Sequence, residues 1–168
     1  QWAKALGATV IGTAGSAEKI ALAKQYGCDH VINYKTEDFA ARVKEITNGK
    51  GVPVVYDSVG KDTFMGSLDC LQPRGLMVSF GNASGPVDAF APGTLSTKGS
   101  LYLTRPSLWH YTSDDAEYAA SAKALFEMIK SGKVKITIDQ RYELKNAAQA
   151  QNDLESRKTT GSSILYPS

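Results

Sequence analysis

Between residues 8 and 105, short apolar and β-branched runs alternate with stretches whose apolar residues recur every three or four positions. The first pattern suits buried strands and the second amphipathic helices. ATVIG (8–12), HVINY (30–34), VPVVYDSVG (52–60), LMVSFG (76–81) and SLYLTRP (100–106) are the predicted strands. A helix is predicted from Ala17 to Tyr26, with Ser16 as N-cap and Gly27 as its stop. Thr36 is the expected cap of the next helix, placing Glu37 and Asp38 in its positive first turn. Phe39, Val43 and Ile46 then fall at i, i+4 and i+7 as its buried stripe, and Phe64, Leu68 and Leu71 repeat that spacing after the third strand. QPRG (72–75) reads as a turn. Strands alternating with helices predict an α/β fold with a mainly parallel sheet.

Beyond Trp109 the pattern changes. A longer amphipathic helix over about 114–131 carries Tyr118, Leu125 and Ile129 on one side, and Gly132 ends it. KITIDQRYEL (135–144) alternates like an edge strand, NAAQAQNDLES (146–156) is helical, and SSILYP (162–167) is a final strand. The change marks a division into residues 1–111 and a C-terminal helix-strand extension over 112–168. At the other end QWAKALGA resembles the last turns of a helix closed by Gly7, and with no initiating Met this predicts a fragment of a longer protein.

A chain of 168 residues, 42% apolar and 21% charged, suffices for one ordinary core. Its formal charge of +2, with acids and bases interspersed, offers no long basic face for nucleic acid and no polybasic membrane anchor. No apolar run approaches the roughly 18 residues of a membrane helix, and the start does not resemble a signal peptide. The expected setting is the cytoplasm. Cys28 and Cys70 lie in contexts that look like helix ends, without a C-x-x-C or a nearby His pair, so they are expected to be reduced structural cysteines. No metal site is predicted.

In doubly wound sheets, ligands bind beyond the carboxyl ends of the strands. Here those ends read GTAGSAEK, NYKTED, YDSVG, FGNASG and TRPSL, each polar or glycine-bearing. NAD-selective sheets carry an acid at the end of the second strand for the ribose hydroxyls. The equivalent stretch, Gly12 to Ser16, has none, while Ser16 opens a helix and Lys19 lies one turn in. A helix start, a hydroxyl and an ammonium suit a phosphate dianion, which favours NADPH. A solvated surface lysine is the competing reading of Lys19.

Taken together, GTAGSAEK, VINYKTEDF, VVYDSVG, LDCLQPRGLMVSFGNASGPV, KGSLYLTRPSL and LESRKTTGSSILYP resemble the zinc-independent quinone oxidoreductases of the medium-chain dehydrogenase/reductase superfamily, the zeta-crystallin-like group. The resemblance runs over essentially the whole chain. It implies a Rossmann-like NADPH-binding domain over 1–111 and a segment, 112–168, that packs with a substrate domain. It places the 2′-phosphate of NADPH on Gly15, Ser16 and Lys19, and Tyr34 near the adenine and phosphate, with a half-buried strand tyrosine as the alternative. Ser58 borders the adenosine, Asp57 being a candidate turn cap. Phe80, Gly81 and Asn82 pass under the nicotinamide half, Thr104, Arg105 and Pro106 supply backbone to the carboxamide, and Arg157 reaches the phosphate-bearing part, or is simply a helix-end arginine. The family's A-x-x-G-V-G loop and first strand are absent from the sequence, as is the substrate domain. In the usual 3-2-1-4-5-6 order the missing strand would lie between 8–12 and 52–56.

The implied reaction is hydride transfer from NADPH to a quinone, with the catalytic residues unknown from this sequence and the isolated fragment expected to be inactive. Reduction of another activated alkene such as an enoyl thioester, and a non-catalytic NADPH-binding role of crystallin type, are the alternatives. A short-chain dehydrogenase is disfavoured because none of the eight tyrosines has a lysine four residues on. A methyltransferase would need a glycine-rich loop after its first strand and an acid after its second. The resemblance also implies an antiparallel homodimer through the strand at 99–105, whose outer edge carries unpaired backbone groups beside Leu101 and Leu103.

Overall fold

The computed structural model describes residues 1–167. Helix α1 (Trp2–Ala5) leads to strand β1 (Ile11–Ala14), helix α2 (Ala17–Gln25), strand β2 (His30–Asn33) and helix α3 (Phe39–Ile46). Strand β3 (Val52–Asp57), helix α4 (Phe64–Asp69), strand β4 (Leu71–Ser79), the short helix α5 (Gly93–Thr97) and strand β5 (Tyr102–Thr104) follow. Helices α6 (Leu108–Thr112) and α7 (Asp115–Lys130), strand β6 (Ile138–Glu143), helix α8 (Ala147–Glu155) and strand β7 (Ser162–Tyr166) complete the chain.

Every pairing is parallel. β1 runs beside β2, β3–β4–β5 form a second sheet in that order, and β6 pairs β7. Among the described residues no ladder joins β1 to β3, so the break falls at the position the strand-order argument picked out.

The core gathers around β3, β4, α3 and α4. Phe64, Leu68, Leu71, Met77 and Leu101 form its main cluster, and Ile32, Val43 and Cys70 a second one. Val52 and Val55 of β3 touch both clusters, so α3 and α4 share one layer. Of the stripe Phe39, Val43, Ile46, Val43 is buried and Phe39 and Ile46 are half-buried against the second cluster, on the face that their spacing predicts. Burial pushes the Cys70 thiol up to about 11, leaving it protonated at neutral pH.

Four local expectations are corrected. Asp38 caps α3, accepting from the Ala40 and Ala41 N–H groups at 2.9 and 3.1 Å, where Thr36 was the expected cap. Glu37 lies before that helix and reaches back to accept from Asn33 N–H at 2.9 Å. Leu71 belongs to β4, which takes in the QPRG turn as an irregularity in the ladder, with Arg74 at φ 61°. Leu101 is a core residue, so only Tyr102, 62% exposed, and Leu103 are exposed apolar side chains along the β5 edge. Along the stripe of α7, Tyr118 and Leu125 are exposed and Ile129 is half-buried.

Candidate functional site

At the carboxyl end of β1 the chain turns at Gly15 into α2. Ser16 is extended and caps the helix, its Oγ accepting from Lys19 N–H at 3.3 Å, so the first turn presents backbone donors and the positive end of the dipole. Tyr34, just past β2, lays its ring over Gly15. A Cβ at position 15 would stand 2.5 Å from the Tyr34 hydroxyl, so glycine permits this approach.

Arg157 joins from 123 residues away, its Nη1 donating to the Tyr34 hydroxyl at 2.9 Å. Lys19 Nζ in turn donates to the Arg157 carbonyl at 2.9 Å. An open cleft of about 410 Å³ adjoins this cluster, walled by Leu22, Ala23 and Tyr26 of the α2 segment and by Thr159, Thr160 and Gly161. Gly15, Ser16, Lys19, Tyr34 and Arg157 are thus assembled in one place. The cluster holds two cations and two hydroxyls, and the β1 turn from Gly12 to Ser16 adds no acid.

Ser58, Phe80, Gly81, Asn82, Thr104, Arg105 and Pro106 collect at the ends of β3, β4 and β5. Here Asp57, 4% exposed, organises the turn. It accepts from the Val59 and Gly60 N–H groups at 2.8 and 3.0 Å and from the Thr63 and Ser67 hydroxyls at 2.7 Å each. Burial raises its pKa, but these four donors outweigh burial and hold the carboxyl below the ordinary aspartate value of 3.8. Asp57 is a turn cap. Gly81 lies against Ser58, where a Cβ would come within 2.3 Å of the Ser58 carbonyl oxygen. Phe80 is half exposed, and Arg105 Nη1 donates to the Ser79 carbonyl at 2.7 Å. Asn82 and Arg105 line a second cleft of about 260 Å³ with Phe64, Val87, Phe90 and Leu103.

The lining contributed by Tyr26, Thr159, Thr160 and Gly161 escaped the sequence reading. RKTTG, two cations, two hydroxyls and a glycine just before a strand, is the signal the sequence carries, and Arg157 alone of it was a candidate.

The model of the zinc-binding dehydrogenase family matches residues 1–134. The chain belongs to the zinc-binding dehydrogenase family. It is 58% identical to a quinone oxidoreductase of Salmonella typhimurium over 99% of its own length and 52% of that protein. A 2-haloacrylate reductase of a Burkholderia species is 48% identical over 99% of the chain and 50% of the relative. The crystal structure of Escherichia coli quinone oxidoreductase complexed with NADPH superposes with a TM-score of 0.95 at 55% identity, covering 99% of this chain and 52% of that one. The resemblance read from the six motifs and the Rossmann-like fold it implied are borne out. The chain spans about half the length of the curated relatives it matches. The family's name raises the question of zinc, and the residues present do not fit one. Among the described residues no group of three His, Cys, Asp or Glu stands together, and Cys70 is buried in an apolar cluster with Ile32 and Val43.

Proposed function

We propose that this chain is the cofactor-binding part of an NADPH-dependent quinone oxidoreductase. The observation that carries the reading is the meeting of Lys19, Arg157, Tyr34 and Ser16 at the end of β1, a donor set for a 2′-phosphate. The fit rests on charge and shape alike, since Gly15 keeps the turn flat under Tyr34. When bound, the cofactor supplies a hydride from its nicotinamide to an electron-poor acceptor. The chain's own part is to bind and orient: Ser58 beside the adenosine, Phe80, Gly81 and Asn82 along the nicotinamide half, and the backbone of Thr104, Arg105 and Pro106 at the carboxamide. A quinone needs no Lewis acid, so the reaction is zinc-independent.

The division at residues 111 and 112 goes with this assignment, 1–111 binding cofactor and 112–168 packing against a substrate-facing domain. The cytoplasm is the proposed setting; among the described residues no helix is long and apolar enough to cross a membrane. Similarity to a 2-haloacrylate reductase supports a second reading, in which the acceptor is an activated alkene.

Dissociation constants for NADPH and NADH test the cofactor assignment. Lys19→Ala is expected to weaken NADPH by about ten- to a hundredfold, the worth of one charge-assisted contact, and to leave NADH unchanged. Unaltered NADPH binding would overturn the role of Lys19. Pairing of two copies through β5 into one continuous sheet is the proposed assembly, supported by the exposed Tyr102 on that edge. Tyr102→Lys sets like charges against each other across the twofold. Sedimentation is expected to show a dimer for the unmodified chain and a monomer for the variant.

A further inference from the structure

One contact that ties the C-terminal segment to the N-terminal part lies outside the cation cluster. Tyr26, which follows α2, shares a hydrogen bond of 2.7 Å between its hydroxyl and Thr137 Oγ1, 111 residues away. The Thr137 carbonyl accepts from Ser162 N–H at 2.8 Å, and Thr160 Oγ1 donates to Asp139 Oδ2 at 2.9 Å. Between these bonds, Gly161 lies so close that a Cβ would meet Asp139 Oδ2 at 2.7 Å and the Thr137 carbonyl oxygen at 2.8 Å. The turn carrying Thr159 and Thr160 is therefore fixed to the start of β6. Through Tyr26, the start of β6 is fixed to α2.

Lys19 and Tyr26 are seven residues apart, about two helical turns, so they project from one side of the α2 segment. Lys19 holds the Arg157 carbonyl at one end of that side and Tyr26 holds Thr137 at the other, with Leu22 and Ala23 flooring the cleft between. Arg157 itself is left-handed, φ 58°, and closes α8: its N–H donates to the Leu154 carbonyl and that of Lys158 to Asp153, at 3.0 Å each. This is the hydrogen-bond pattern of a Schellman turn, whose left-handed position is ordinarily glycine. A long cationic side chain in that backbone conformation acts on an anion only if the turn is held in register with Lys19, because an unconstrained guanidinium must be ordered on binding.

We infer that Tyr26 is a positioning residue for anion recognition: its hydrogen bond to Thr137 holds Arg157, Thr159 and Thr160 opposite Lys19. The inference rests on the reading of this cleft as a 2′-phosphate site. It adds a residue that itself does not touch the phosphate.

The test uses the full chain, with adenosine 2′,5′-bisphosphate and adenosine 5′-monophosphate as calorimetric probes and amide hydrogen exchange at Arg157, Lys158 and Ser162. Tyr26→Phe is expected to weaken the bisphosphate by about three- to tenfold, the yield of one hydrogen bond, while the monophosphate is unaffected. Exchange at the three amides is expected to rise relative to the rest of the chain. Thr137→Val should reproduce both effects, Thr137→Ser should keep wild-type binding and exchange, and the Tyr26→Phe/Thr137→Val pair should add nothing further. Unchanged exchange in Tyr26→Phe overturns the inference however the probes bind. Equal weakening of both probes also overturns it, since Tyr26 would then support the fold alone. Lys19→Ala separates the two levels: if that variant binds the bisphosphate normally, the 2′-phosphate reading fails and the inference falls with it. If Lys19→Ala weakens binding and Tyr26→Phe does not, only the inference fails.

Discussion

The ends of β1 and β3 each close a strand paired in parallel, yet they are built for opposite purposes. At β3 the charged group is a buried carboxylate whose four donors come from within ten residues of it, and its turn is locked against the backbone of Gly81. At β1 the charged groups are cations at the surface, and their contacts run across 123 and 138 residues to Tyr34 and from Lys19 to Arg157. A carboxylate fully satisfied by local donors can stiffen a turn but has no capacity left for a ligand. Cations held by one neutral acceptor each keep donors free for an anion. Local satisfaction makes scaffold, and incomplete satisfaction between distant segments makes a recognition surface.

Removing Asp57 should have the largest effect. Asp57→Ala strips the acceptor from two hydroxyls and two N–H groups in a buried turn, and unfolding by urea should show a loss of about 3 kcal/mol or more. The same group sets an acid limit. Because its folded-state pKa lies below 3.8, the folded chain takes up its proton less readily than the unfolded chain. Its contribution is whole above that value and drains away as pH falls through the lowered one. A urea series from pH 6 down to pH 2 should therefore steepen below about pH 4, and Asp57→Asn should flatten that fall.

The two close glycines give a milder contrast. Gly81→Ala drives a methyl group into the Ser58 backbone, which cannot step aside, and should cost about 1–3 kcal/mol in the same measurement. Gly15→Ala meets only the far end of the exposed Tyr34 ring. That ring swings away, so stability should change by less than about 1 kcal/mol while NADPH affinity falls.

Arg157→Gly should have the smallest effect on folding, and one of opposite sign. Glycine relieves a left-handed position that costs other residues about 1–2 kcal/mol, offset in part by its greater unfolded-state freedom, so the melting temperature should rise slightly. Affinity for NADPH should nevertheless drop about tenfold with the loss of the guanidinium. A variant that gains stability and keeps its affinity would show that Arg157 serves the turn and not the phosphate.

Much of this molecule was determined by short-range sequence pattern. Ser16 caps α2 because capping needs only a hydroxyl three residues from a free N–H, and the stripes of α3 and α4 follow from a period that any helix must obey. The same locality placed Gly15, Ser16 and Lys19 on one turn. At the start of α3 the pattern pointed to Thr36, yet the Asp38 carboxylate is the cap while Glu37 accepts from Asn33 N–H. Alternation likewise could not say which face of 99–105 is covered, and Leu101 went inward because α4 and β4 fill the space beneath it. Only the tertiary structure brought Arg157 to Tyr34, Thr137 to Tyr26 and the RKTTG turn to the wall of the cleft. No periodicity in a chain records a contact between residues more than 100 positions apart; that contact exists only once the intervening helices and strands have packed.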